Sequence, residues 1–242
     1  MKHRLDHEVH ARGLVPSRSQ AESWIKLGKV RVNGTVITKP GQMVDDGADV
    51  ELLAAEQYVS RAALKLASVA EALHLSFKGA TMLDVGSSTG GFTDYALRHG
   101  ATKVIAVDVG TDQLHPSLRT DERIELHEQT DIRDMRQLSS TPDIVVIDVS
   151  FISLREVLPH IARLCGPRTE VVAMVKPQFE AGAANLKHKG VIKNDRMRRD
   201  ILKAFEDWAK QHFVVREKAD SDIAGSKGNV ERFYLLRVRA GD

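Results

Sequence analysis

The stretch that decides the fold is Thr81–Phe92, which reads TMLDVGSSTGGF. A short apolar run containing one acid, residues 82–85, is followed by a turn rich in glycine and serine and then by an apolar-periodic stretch. This order predicts a β-strand, a tight loop and the start of a helix. Because glycine has no Cβ, it lets a ligand approach the backbone closely, and we expect the loop to cradle a cofactor. The loop residues expected to line it are Gly86, Ser87, Ser88, Thr89, Gly90, Gly91 and Phe92.

Two acids near this loop indicate which cofactor it holds. The dinucleotide fingerprint requires Gly-x-Gly-x-x-Gly, whereas here Gly86 is followed only by Gly90 and Gly91, which counts against NAD. Asp108 follows a second predicted strand, where an acid can accept hydrogen bonds from both hydroxyls of a ribose. Asp84 precedes the loop and can bind a cationic amine. The combination favours S-adenosylmethionine (SAM), which has an amino acid moiety and no phosphate. A purely structural strand-to-helix turn is the alternative.

Length and composition bound the class of protein. The chain has 242 residues, of which 42% are apolar, enough for one large domain or for a large and a small one. Its single cysteine, Cys165, excludes an internal disulfide and a cysteine-based zinc site and fits a reducing compartment. Residues 1–7 lack the apolar core of a signal peptide, and no segment approaches about 18 continuous apolar residues. We therefore expect a cytoplasmic protein without a membrane span.

The N-terminal part predicts a separate small α+β domain. Apolar residues recur at helical spacing from Leu5 to Leu27, in two pieces. Asn33-Gly34 lies between two β-prone runs and favours a two-residue hairpin turn, and a further strand is predicted from Asp49 to Leu53. We place this domain at residues 1–54 and a linker at residues 55–58. A module of this size must rely on a few large side chains or on a neighbour for its core.

Positive charge is concentrated in this module. Residues 1–40 carry eight lysines and arginines against three acids, a balance of +5, whereas the whole chain has a formal net charge of +2. Such a surface can bind RNA phosphates. The side chains that we expect to do so are Arg4, Arg18, Lys26, Lys29 and Arg31. Charge alone is equally compatible with a solvated basic surface.

Residues 59–242 alternate between strand and helix patterns. This alternation predicts a Rossmann-like, doubly wound and mostly parallel sheet. We expect its last strand to run antiparallel, although the alternation does not fix that direction. A capping box of Ser153 and Glu156 is predicted to begin one of the helices. The other predicted strands cover residues 103–108, 123–127, 144–148, 170–175, 213–216 and 231–238, and the helices cover residues 61–73, 153–164 and 195–212.

Charged residues stand at the ends of several of these apolar strands. Asp148 follows one and Lys176 follows another, where Pro177 keeps Lys176 out of the helical conformation. Ligands of open α/β sheets bind outside the carboxyl ends of the parallel strands, so both side chains should point into the cofactor crevice. If the last strand is antiparallel, Glu231 at its start lies on the same edge. Each residue taken alone is also compatible with a helix cap or an exposed charge.

Several segments resemble the TlyA family, which joins an S4 RNA-binding domain to an FtsJ-like (RrmJ-like) methyltransferase. The S4-like pattern lies in residues 13–21 and 25–34, and the methyltransferase motifs lie in residues 58–66, 83–92, 148–154, 176–180 and 225–231. The resemblance implies SAM-dependent 2′-O-ribose methylation of ribosomal RNA, of the cytidine-2′-O type, with ribosomal RNA or ribosomal subunits as the partner. It also implies a catalytic tetrad that requires no metal, formed by Lys65, Asp148, Lys176 and Glu231.

Two other classes of function stay open at this point. Family members are often labelled hemolysins, which suggests a membrane-acting toxin, but the sequence has no spanning segment and no obvious amphipathic insertion helix. A non-catalytic RNA-binding assembly factor is the other alternative. It is disfavoured because both cofactor acids and three tetrad positions, Lys65, Asp148 and Lys176, are intact.

Overall fold

The computed structural model describes residues 2–15, 17–53, 58–181, 192, 194–225 and 228–239. A small α+β module precedes a larger α/β domain, which confirms the fold class predicted from the sequence. The predicted linker falls almost entirely outside the described residues, and its boundaries stay a prediction. None of the helices in these ranges is both long and apolar enough to cross a membrane.

The N-terminal module contains two helices and two small sheets. Its elements are β1 (Lys2–Arg4), α1 (Leu5–Ala11), α2 (Arg18–Lys26), β2 (Val30–Val32), β3 (Thr35–Val36), β4 (Met43–Asp45) and β5 (Val50–Leu52). Strand β2 pairs antiparallel with both β3 and β5, and β1 pairs with β4. Asn33 and Gly34 both have positive φ, 47° and 77°, which confirms the two-residue hairpin turn. Ser17 begins α2, because its hydroxyl accepts a hydrogen bond from the Gln20 amide.

The larger domain is a seven-stranded sheet with helices on both faces. Its helices are α3 (Ala62–Ala70), α4 (Gly91–Arg98), α5 (Pro116–Arg119), α6 (Leu154–Leu164), α7 (Pro177–Glu180) and α8 (Asp195–His212). Its strands are β6 (Thr81–Val85), β7 (Lys103–Val107), β8 (Ile124–His127), β9 (Ile144–Ile147), β10 (Glu170–Val175), β11 (Phe213–Asp220) and β12 (Arg232–Val238). The order is β11-β12-β10-β9-β6-β7-β8, and only β12 runs antiparallel to its neighbours.

Alternation along the buried strands sorts their side chains between two cores. In β6, Leu83 and Val85 pack with residues of α6 and α8, whereas Met82 packs with residues of α3 and α4. Because strand side chains alternate between faces, Asp84 lies on the same side as Met82. The single acid of this strand is thereby directed toward α4, under the glycine-rich loop.

The two units of the chain share a third core. Leu64 of α3 and Ile223 of the larger domain are buried in the same cluster as the apolar residues of the N-terminal module. Trp24 of α2 stacks on Tyr58 with ring centroids 5.9 Å apart, and Tyr58 contacts Tyr95 of α4 at 5.7 Å. The core of this small module was expected to rely on large side chains or on a neighbour, and the structure shows both, because Trp24 is buried in it together with Leu64 and Ile223 of the larger domain.

Candidate active site

The register of the central strands brings the predicted acids to one edge of the sheet. Val85 lies opposite Val107 on one side and Ile147 on the other, so the chain leaves all three strands at the same level. Asp108 and Asp148 come directly after two of these strands and therefore flank the loop that follows β6. The carboxyl ends of parallel strands are where ligands bind in such sheets.

The glycine-rich loop is held tightly by the protein itself. Gly86 has φ of +80°, and a Cβ at this position would lie 2.8 Å from the carbonyl oxygen of Asp148. A Cβ at Gly91 would lie 2.5 Å from the Ser60 hydroxyl and 2.9 Å from the Ala62 Cβ. The sequence argument that these glycines admit a ligand is therefore incomplete. At both positions glycine first admits another part of the chain, and this packing fixes the loop over the strand ends.

Two adjoining cavities open beside the loop. The first, about 230 Å³, is lined by Lys65, Asp84, Asp148, the loop residues and the start of α3. The second, about 490 Å³, extends past Asp108 to a wall that includes Arg133. Both cavities share Gly86, Ser88 and Asp148 among their lining residues. Together they form an elongated cleft with a charged end and a more apolar end.

Asp84 lies at the bottom of the charged end and is fully buried. Its Oδ2 accepts a 2.6 Å hydrogen bond from the Thr93 hydroxyl, whereas no described group bonds to its buried Oδ1. Burial, with a smaller contribution from the nearby carboxylates of Asp148 and Asp108, raises the pKa of Asp84 to about 7, against the hydrogen bonds from Thr93 that lower it. An unpartnered buried carboxylate oxygen that lines a cleft is suited to a cationic ligand.

Asp108 lies at the junction of the two cavities. Its Oδ2 accepts a hydrogen bond from the Ser88 amide at 2.8 Å, and its Oδ1 accepts one from the Gly110 amide at 2.7 Å. These bonds join the glycine-rich loop to the loop after β7 and aim the carboxylate along the cleft. A carboxylate oxygen has more than one lone pair, so each oxygen keeps acceptor capacity for a diol.

The four residues predicted as a tetrad form two ion pairs. Lys65 Nζ lies 3.1 Å from Glu231 Oε1, and both side chains are nearly buried. Lys176 Nζ lies 2.6 Å from Asp148 Oδ1 and donates to the Ser150 hydroxyl at 2.8 Å. Since Lys65 and Asp148 line the first cavity, the two pairs reach the same space. Glu231 directly precedes β12 rather than beginning it.

An aromatic residue that the sequence did not single out stands beside these pairs. Phe151 is 91% exposed, has φ of +68° and contacts Phe179 with ring centroids 5.2 Å apart. Lys176 Nζ lies 5.8 Å from the Phe179 ring centroid. Positive φ is uncommon for a bulky residue, and this exposed ring lines the second cavity. A sequence cue was available, because Phe151 follows Asp148 within one motif.

The capping box predicted for α6 is only half correct. Ser153 does cap the helix, since its hydroxyl accepts a hydrogen bond from the Arg155 amide at 3.2 Å. The carboxylate that completes the cap is that of Glu180, which accepts hydrogen bonds from the Ser153 hydroxyl and the Leu154 amide, both at 2.7 Å. Glu156 is instead exposed to solvent.

The basic residues of the N-terminal module are held in different ways. Arg4 and Arg18 both donate to the carboxylate of Asp6, at distances between 2.8 and 3.0 Å, and each remains 49% exposed. Arg31 pairs with Glu51 at 3.3 Å on the neighbouring strand. Lys26 and Lys29 are exposed. The structure thus brings Arg4 and Arg18 together, whereas Arg31 is tied to a separate site.

Arg61 connects this module to the cleft. Its guanidinium donates to the hydroxyl of Ser19 on α2 and, at 2.7 Å, to the carbonyl oxygen of Ala224. The next residue, Gly225, packs so closely on Glu231 that a Cβ there would lie 2.5 Å from the carboxylate. Arg61 also lines the first cavity. One side chain therefore touches the module, the cleft and the loop that encloses Glu231.

Known proteins resemble the chain along most of its length. A family model described as FtsJ-like methyltransferase matches residues 58–238, and one described as S4 domain matches residues 3–50. The 16S/23S rRNA (cytidine-2′-O)-methyltransferase TlyA of Mycobacterium tuberculosis is 38% identical over 98% of this chain and 90% of its own length. The 23S rRNA (cytidine-2′-O)-methyltransferase TlyA of Campylobacter jejuni is 44% identical over 79% of this chain and 75% of its own. A solved structure described as a hemolysin from Streptococcus thermophilus has a TM-score of 0.72 at 37% identity, covering 99% of this chain and 89% of that one.

Proposed function

The chain belongs to the FtsJ-like methyltransferase family, in the TlyA branch with an N-terminal S4 domain, and we propose that it methylates the 2′-hydroxyl of a cytidine ribose in ribosomal RNA. In this proposal SAM is the methyl donor and the reaction takes place in the cytoplasm. Residues 1–54 bind RNA, and residues 59–242 carry the chemistry. The observation that supports it most directly is the pair of lysine–carboxylate ion pairs beside a cleft with a buried, unpartnered Asp84 oxygen.

The shape and charge of the cleft fit SAM. Asp84 would bind the α-amino group at the charged end, and Asp108 would accept hydrogen bonds from the ribose hydroxyls at the junction of the cavities. The second cavity, with Val107 and Ile132 among its lining residues, would take the adenine. When bound, SAM supplies a methyl group already activated by a sulfonium charge.

The task left to the protein is to align the acceptor hydroxyl and to manage its proton. Lys176 is the residue we assign to that proton, because its amine stands at the strand end between Asp148 and Ser150. Asp148 fixes the direction of the Lys176 amine, and Glu231 does the same for Lys65. Holding the reactants in line replaces a bimolecular encounter by a step within one complex, and a positioned base adds about 10²- to 10⁴-fold.

The aromatic pair at the mouth of the cleft fits a nucleotide rather than a small acceptor. A nucleobase stacked on an aromatic face contributes about 1 to 3 kcal/mol, and single-stranded bases are the usual targets of such stacking. Phe151 presents an exposed ring beside the Lys176–Asp148 pair. Phe151→Ala should weaken RNA binding at least about fivefold and leave SAM affinity unchanged, whereas equal RNA affinity in both proteins would remove the ring from the acceptor site.

Methyl transfer to ribosomal RNA tests the proposal directly. Purified protein is incubated with methyl-labelled SAM and unmodified ribosomal subunits, and the RNA is digested to nucleosides. The proposal predicts label in 2′-O-methylcytidine, and labelling at least about 100-fold slower with Lys176→Ala protein. Label in a methylated base, or no label in RNA from either subunit, would contradict it. A vesicle leakage assay on the same preparation tests the toxin alternative.

A further inference from the structure

Glu180 is a buried acid for which the proposed reaction has no direct use. It ends α7, the short helix that follows Lys176, and only 1% of its side chain is exposed. Burial raises the pKa of its carboxyl, against the hydrogen bonds from Ser153 and Leu154 that lower it. A buried carboxylate is costly unless it is well bonded, so its place in the fold requires an explanation.

The contacts of Glu180 join the two loops that carry the Lys176–Asp148 pair. Within the segment that contains Glu180, the Phe179 and Glu180 amides donate to the Lys176 carbonyl oxygen at 2.9 and 3.3 Å, and these bonds close the turn directly after Lys176. On the far side, the carboxylate accepts from the Ser153 hydroxyl and the Leu154 amide, only a few residues after Asp148. Arg155 Nε lies 3.7 Å from the same carboxylate.

These bonds form a closed ring that includes the proposed site. Lys176 reaches Asp148 and Ser150 at one end of the loop after β9, and Glu180 holds Ser153 and Leu154 at the other end. The residues between the two ends include Phe151, with its positive φ. A strained residue persists only when its surroundings hold it in place, and here both ends of its loop are bonded to one short segment.

We propose that Glu180 is a positioning residue that locks the loop of residues 149–153 onto the turn carrying Lys176. It touches neither methyl donor nor acceptor, and it acts by keeping the Lys176 amine, Asp148 and the Phe151 ring in one fixed arrangement. The inference rests on the proposed function for its consequence in catalysis. The geometric part, that the loop loosens without Glu180, does not depend on that function.

Three variants test this role. Glu180→Ala removes both acceptors, whereas Glu180→Gln keeps a carbonyl for the Leu154 amide and an NH₂ group that can donate to the Ser153 hydroxyl. Glu156→Gln is the matched control, because Glu156 is an exposed acid in the first turn of α6, the helix whose start Glu180 contacts. Hydrogen exchange of residues 149–154 is measured without RNA. We expect faster exchange in Glu180→Ala and near-normal exchange in the other two variants.

Single-turnover methyl transfer, expressed per SAM-binding site, supplies the second readout. A displacement of about 1 Å can cost about 10²-fold in rate, so we expect Glu180→Ala to lose about 10- to 100-fold and Glu180→Gln to stay within about threefold of wild type. The SAM dissociation constant should change little in either. Unchanged loop exchange in Glu180→Ala, or a Gln variant as slow as the Ala variant, would overturn the inference. Faster loop exchange together with no methyl transfer by the wild type would support the positioning role and contradict the proposed function instead.

Discussion

The N-terminal module and the cleft both use carboxylates to hold pairs of cations, and they do so in opposite ways. In the module, one fully buried acid, Asp6, serves two arginines whose guanidinium groups stay half exposed. In the cleft, Lys65 and Lys176 each have a carboxylate of their own, Glu231 and Asp148. The first arrangement presents fixed positive charge to a partner, and the second keeps two amines largely out of water.

The choice of cation matches this difference. Arginine keeps its proton at any working pH and presents a rigid fork of donors, which suits phosphate recognition. A lysine amine can lose its proton when its surroundings favour the neutral form, which suits proton transfer. Burial alone tends to raise the pKa of Asp6, but hydrogen bonds from Arg4 and Arg18 outweigh it and lower the pKa to about 2. The ion pairs of the module thus keep a constant charge at any working pH, whereas the cleft holds one carboxyl, that of Asp84, whose pKa is about 7.

Replacing Lys176 by a residue that keeps the charge is the strongest test of this contrast. Lys176→Ala should lower the single-turnover rate about 10²- to 10⁴-fold, the usual contribution of a positioned acid or base. Lys176→Arg should rescue poorly, because a guanidinium cannot accept the proton. A Lys176→Arg enzyme with a near-normal rate would show that charge and position are what this residue provides.

Asp84 extends the contrast to the cofactor end of the cleft. The pKa of Asp84 is about 7 in the protein without ligand, so below that pH the carboxyl holds a proton that it must release to bind an ammonium group. SAM affinity should therefore rise by up to tenfold for each pH unit below pH 7 and become independent of pH above it. Asp84→Asn should bind SAM about 10- to 100-fold more weakly at neutral pH, the effect of one buried charged hydrogen bond, and should lose this pH dependence.

Calorimetric titration with SAM between pH 5.5 and 7.5 checks this prediction. An α-amino group stays largely protonated below about pH 7.7, so the cofactor's own titration does not interfere in that range. Asp108→Ala serves as the comparison, because it should weaken binding and keep a pH dependence, with its midpoint moved to lower pH since Asp108 raises the pKa of Asp84. If the SAM affinity of Asp84→Asn depended on pH as that of the wild type does, the titrating group would be a residue other than Asp84.

Arg4 and Arg18 test the constant-charge side of the comparison. If both meet phosphates, replacing either by Gln should weaken RNA binding severalfold at low salt and reduce the salt slope of log K by roughly 1. Arg12→Gln is the control within the module, because its guanidinium bonds Glu8 and the Ala48 carbonyl and should not change the slope. Filter binding at several salt concentrations gives both quantities. If the salt slope of log K were unchanged in Arg4→Gln and Arg18→Gln, these two arginines would belong to a solvated basic surface that does not contact RNA phosphates.

The smallest expected effect concerns the contact between the two regions. Ser19→Ala removes the hydroxyl that Arg61 bonds on α2 and leaves Arg61 in the wall of the cleft. One hydrogen bond contributes about 0.5 to 1.5 kcal/mol, so turnover on RNA should fall about 2- to 10-fold while RNA affinity changes little. Steady-state kinetics separate kcat from KM. A pure rise in KM would show that α2 contributes to binding alone.

Local sequence rules predicted most of the fold and singled out residues at both ends of the cleft. Strand ends and the hairpin turn follow from patterns a few residues long, which is why the positions of Asp108, Asp148 and Lys176 directly after strands were predicted. Helices of four residues, α5 and α7, carry too little periodicity to be predicted. The positive φ of Phe151 has no local signature.

Contacts between distant residues account for the other differences. The capping-box rule selected Glu156 because it lies three residues after Ser153, whereas Glu180 lies 27 residues away along the chain. The glycine-rich loop shows the same limit. Its composition indicated a ligand, yet the neighbours that require glycine at positions 86 and 91 are Asp148 and the segment before α3. The sequence indicates that these residues matter, and only the packing shows why.

The core shared between the two units ties the stability of the larger domain to the presence of the module. Deleting the module would expose Leu64 and Ile223 and leave Tyr58 without its stacking partner, so truncation damages the part that remains. Any replacement module must therefore bring an apolar face that fits Leu64 and an aromatic ring that fits Tyr58. The side chains that attach the module to the larger domain are thus different from the exposed arginines, Arg4 and Arg18, for which we predict a role in RNA binding.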